Sequence, residues 1–150
     1  MIRRGVVALA VSGVVALAMG GCGSSSPTVA RFVAQASRIC TRALDQGARI
    51  APPAVPAQTG AFLRRGITTL TGELADLRAL QVPHAQAGTY GAAVDSLTQA
   101  LLILTARVHD LDRGADPVPT VKSLQRQLAQ VEARGDAAWR TLGVPACVTR

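Results

Sequence analysis

Aromatic side chains are scarce in this sequence: two Phe, one Tyr and one Trp, 3% of 150 residues. Single-stranded nucleic acids are bound on exposed aromatic platforms. Phe32, Phe62, Tyr90 and Trp139 mostly fall on or near apolar stripes, and Trp139 reads as a packing anchor. Histidine is nearly absent too. His84 falls in a Val-Pro-His turn and His109 between Val108 and Asp110, neither with a second ligand at metal-binding spacing. Both methionines lie within the first 19 residues, which removes a Met-based copper site from the rest of the chain. There is no G-x-S-x-G, no phosphate-cradling glycine loop and no dinucleotide fingerprint. Ser37, Ser96 and Ser123 fall on predicted helices with no base close in sequence. Asp110, Asp112 and Asp116 cluster, but they read as a polar loop with Asp116 capping a helix. These absences predict a chain that is not an enzyme and has no cofactor, no metal and no nucleic-acid partner.

Long apolar runs are also missing, except at the start. Arg3 and Arg4 precede Gly5–Ala18, a stretch without charge or proline. That is the basic region and apolar core of a secretory signal. Extended to Gly21 it has 17 residues, the short limit for a membrane span. Met19-Gly20-Gly21-Cys22 then resembles a bacterial lipobox, in which the cysteine is lipidated and becomes the mature N-terminus. The expected organisation is a signal peptide over 1–21, a lipidated Cys22 with a tether over 22–28, and a helical domain over 29–150. The pattern does not separate the general secretory from the twin-arginine route. Gly23–Thr28 reaches about 20 Å when extended, so the domain should stay close to the membrane.

Two cysteines remain, in a setting that permits disulfides. Cys40 and Cys147 are either bridged to each other, free and buried, or bridged to another chain. An intramolecular bridge would close a loop whose entropy is worth about 4–5 kcal/mol.

What is abundant is helical periodicity. Val29, Phe32, Val33, Ala36, Ile39, Cys40, Ala43 and Leu44 mark a first helix, from a Thr28 cap to a stop at Gly47. Three prolines within Ala51–Thr59 make a stiff connection. Leu63, Ile67, Leu70, Leu74 and Leu77 mark a second helix over about Gly60–Leu80. A third follows Pro83, with Tyr90, Val94, Leu97, Leu101, Leu104, Val108 and Leu111. A fourth spans about Pro117–Leu142, with Val121, Leu124, Leu128, Val131, Ala138 and Leu142, before Gly143 and Pro145 stop it. Each stripe must be buried. The expectation is an all-α fold, an antiparallel up-and-down four-helix bundle. An intermolecular coiled coil of helices two and three competes with it. In the bundle, Gly143–Cys147 reaches about 16 Å when extended. Cys40 lies about 16 Å along its helix from Val29. The tail can therefore reach its partner.

The formal charge is +7, or +5 once Arg3 and Arg4 leave with the leader, and Lys122 is the one lysine. Arg31, Arg38 and Arg42 lie within about 40° of one another around the first helix. The bland reading is a solvated face. The functional one is that these arginines rest on an anionic lipid or wall polymer.

Phe32-x3-Ala36-x2-Ile39-Cys40-x2-Ala43, followed by Ala138, Leu142-Gly143-x3-Cys147, resembles small actinobacterial lipoproteins of unestablished activity. That resemblance implies the anchor, the Cys40–Cys147 bridge and an address on the extracytoplasmic face of the cell membrane. It supplies no catalytic residue. The leading expectation is a lipid-anchored scaffold or interaction module, with a protein partner open. The alternative is a carrier that holds an apolar ligand or lipid between its helices, with Gly135 either leaving room or permitting close packing.

Overall fold

A computed structural model describes residues 27–148. The helices are α1 (Val29–Ala48), α2 (Thr59–Arg78), α3 (Ala87–Asp112) and α4 (Pro117–Thr141). Single 3-10 turns stand at Pro56–Gln58, His84–Gln86 and Pro145–Cys147. No strand occurs among the described residues. The leader 1–21, Cys22 and most of the tether lie outside them.

Local chemistry sets the ends. Thr28 caps α1 by accepting the Arg31 N–H at 3.2 Å, and Asp116 caps α4 by accepting the Val118 N–H at 2.9 Å, with Pro117 in the first turn. α3 and α4 stop in the same way. Gly114 (φ 92°) and Gly143 (φ 71°) adopt the left-handed conformation. The following amides reach back, Ala115 to Asp110 and Val144 to Trp139, each at 3.0 Å. Gly47 does not act as a stop. It lies inside α1, which ends one residue later, ahead of Pro52 and Pro53.

The helices pack in chain order, α1 on α2, α2 on α3 and α3 on α4, as an antiparallel four-helix bundle. The stripes of α2 and α3 therefore meet each other within one chain. α3 is central and carries a second buried stripe of small residues, Ala93, Ser96 and Ala100, besides the expected one.

The core has two parts. At the end where the chain enters, Phe32, Leu77, Tyr90 and Trp139 pack together with the Cys40–Cys147 disulfide. Tyr90 stands edge-on to both neighbours, with ring centroids 5.3 Å from Phe32 and 5.9 Å from Trp139. Its hydroxyl donates to the Leu77 carbonyl. Trp139 is 2% exposed, so it is the packing anchor its position suggested. At the far end, Leu63, Leu104, Val108 and Leu124 form a smaller core with no contribution from α1.

Two outcomes follow. The bridge joins residues 107 apart in sequence, so reducing it should remove about 4–5 kcal/mol of stability. Urea unfolding with and without a dithiol measures the loss. Burial pushes the Tyr90 phenol up from 10.0 to about 12. The fold thus favours the protonated phenol. That contribution is complete below a pH of about 10 and disappears as the pH rises through about 12. Tyr90 is the chain's one tyrosine, so its phenolate absorbance should titrate near 12 in the native protein and near 10 in urea.

Candidate functional site

The path of the C-terminal tail creates the site. Gly143 reverses the chain, and Val144 and Cys147, each 0% exposed, run back beside α1 to Cys40. Cys147 Sγ lies 3.9 Å from the Ala36 carbonyl. The neighbours of α1 are α2 and this tail rather than α4. Toward the far end α1 and α2 border an open space, lined on the α1 side by Ala43, Leu44, Gly47 and Ala48 and by Ile50 just beyond it.

The result is an apolar cleft with two lobes. Lobe one, about 360 Å³, lies between α2, α3 and α4, floored by Leu97, Ala100 and Leu104 and walled by Val131 and Trp139. Lobe two, about 460 Å³, lies between α1 and α2 and reaches the Cys40 side of the disulfide. Each is in the size range of small-molecule pockets. Val148 closes against lobe one and Ala146 against lobe two, so the tail borders both.

Phe62, Gly66 and Leu70 line both lobes. Spaced four apart, they stand one above another on a single face of α2. Phe62 and Leu70 form a ridge between the lobes, and Gly66 is the gap in it. A Cβ added at Gly66 would meet nothing within 4 Å. Gly135 has the opposite role. A Cβ there would come 3.1 Å from the Ser96 Cβ, so this glycine serves the close approach of α4 to α3. Ser96 keeps its hydroxyl on its own helix, donating to the Ala92 carbonyl at 3.0 Å.

The charged groups on the cleft are all acidic: Glu73 in lobe two, Glu132 and Asp136 in lobe one. Glu73 is 5% exposed. Asp136 has Arg140 at 3.5 Å. No Lys, Arg or His lines either lobe.

The residues singled out from sequence are dispersed around the cleft. Cys40 and Cys147 are joined, and both other pairings are thereby closed. Arg31, Arg38 and Arg42 are all exposed on α1. Arg42 turns toward α2 and donates to Asp76 at 3.1 Å, which leaves Arg31 and Arg38 as the outward pair. Asp110 accepts from Arg107 at 2.7 Å and from Arg113 at 2.6 Å, and Asp112 accepts from Arg64 of α2 at 2.8 Å. Asp116 is the α4 cap, as its position suggested. His84 and His109 are exposed. Ser123 accepts from Gln127. No group of three His, Cys, Asp or Glu side chains among the described residues is placed to hold a metal. No described helix is long and apolar enough to cross a membrane. Cys22 lies outside the described residues.

Sequence reasoning missed Gly66, Ala93, Ala100 and Glu73 as site residues. Sequence offered no distinguishing signal: Gly66 stands between Phe62 and Leu70 at four-residue spacing just as Gly135 stands between Val131 and Trp139.

The chain matches no protein-family model, no curated protein and no solved structure.

Proposed function

We propose that this chain is a lipid-anchored protein of the extracytoplasmic membrane face that carries an apolar ligand in the cleft between α1, α2 and α4. The observation that supports this reading is the cleft itself. An apolar bundle with small residues at its far end keeps open a space that larger side chains would fill. Open apolar surface in water is unfavourable by about 25 cal/mol per Å², so a ligand that covers it gains binding energy. Between the two roles that the sequence leaves open, scaffold and carrier, the cleft favours the carrier. The reading is one of binding rather than catalysis.

The anchor rests on the leader and on the Met19-Gly20-Gly21-Cys22 pattern. An oxidised Cys40–Cys147 pair suits an exported protein. Arg31 and Arg38 lie near the tethered end of α1, facing outward. There they suit an anionic headgroup or wall polymer, at about 1 kcal/mol per charge near such a surface.

The test is native mass spectrometry of the full chain extracted from its own membrane. Mass beyond the polypeptide and its covalent lipid is expected, and it should leave on denaturation. A chain carrying covalent lipid alone would overturn the carrier reading. Cys22→Ser should abolish the covalent mass and release the protein from the membrane. In that background, replacing Arg31 and Arg38 with alanine should weaken binding to anionic vesicles several-fold. Arg42→Ala, whose charge already has Asp76 beside it, should change it less. Equal binding to neutral vesicles would remove the basic face from the reading.

A further inference from the structure

Phe62, Gly66 and Leu70 line both lobes, and Gly66 leaves a gap in that row. Gly66 lines both lobes, and the space in the direction of its absent side chain holds no protein atom within 4 Å. A helix interior gains nothing from glycine. It costs about 1 kcal/mol relative to alanine, and here no backbone conformation requires it, since φ at Gly66 is not positive. No close helix contact requires it either, in contrast to Gly135.

We infer that Gly66 makes the two lobes one site, which takes a single long-chain ligand laid across α2 with its chain in both lobes. This rests on the carrier reading and gives that carrier a ligand class. The shape comes from the ridge: a short chain fits within either lobe, whereas a longer one reaches its neighbour only across Gly66.

The experiment titrates the purified full chain with uncharged alkyl maltosides of rising chain length, octyl to tetradecyl, below micelle formation. Trp139 is the chain's one tryptophan and lines lobe one, so its fluorescence reports occupancy, with calorimetry as a second readout. Affinity should rise about fourfold per added methylene throughout the series, the ratio corresponding to about 0.8 kcal/mol per buried methylene. Gly66→Leu fills the gap, its Cβ meets no protein atom within 4 Å, and replacing a glycine within a helix should leave the variant folded. In that variant octyl maltoside should bind as before, while the gain from further methylenes should stop.

An unchanged chain-length slope in Gly66→Leu would show two independent lobes and overturn the inference while leaving the carrier reading in place. If no maltoside binds at any length, the carrier reading fails with it. A stable dimer that binds none would place a second copy of the chain over the cleft.

Discussion

The return of the C-terminal tail along α1, closed by the Cys40–Cys147 bridge, is the constraint on which the remaining architecture depends. A four-helix bundle ordinarily seats its first helix against its last. Here Val144 and Cys147 occupy that seam at the entry end, where they are as buried as any residue in the protein. The bridge is therefore more than a restraint on the unfolded chain. It substitutes a short length of chain for a helix–helix contact, and it fixes how far α1 and α4 stand apart.

The two halves of the molecule follow from that wedge. At the entry end, Phe32, Tyr90 and Trp139 meet edge-on and fill the interior with the largest side chains in the sequence. Val148 of the same tail lines lobe one. At the far end α1 no longer contributes to the core. The small side chains of α1, and the gap at Gly66, leave the space open. The cleft lies beside the disulfide-bonded core and shares Leu97, Trp139 and Cys40 with it.

Electrostatics divides the surface in a compatible way. The chain is basic overall, and its outward arginines Arg31 and Arg38 stand near the tether. Several others are matched locally, Arg42 by Asp76, Arg64 by Asp112, and Arg107 and Arg113 by Asp110. Exposed pairs of this kind contribute little stability. A third of the acidic residues line the cleft.

Much of the fold was legible in the residues because its signals are local. Thr28, Asp116 and Gly143 end helices through contacts made within a few residues, and the apolar stripes of α2 and α3 repeat at spacings that only a helix brings to one face. Gly47 misled for the same local reason, since the prolines beyond it, rather than the glycine, stop α1. The partner of Cys40 was narrowed by chain length and reach, and decided by the fold. The cleft was not legible. Periodicity registers side chains that are present, and this site is made by ones that are absent, at Gly66, Ala93 and Ala100. The same residue type is a gap at Gly66 and a tight contact at Gly135, and nothing in either neighbourhood of sequence separates the two. The sequence by itself determined four amphipathic helices, their order and their ends, because hydrogen bonding and helical spacing are short-range. Only the tertiary structure decided which small residues leave space and which close it, because empty volume depends on every helix around it.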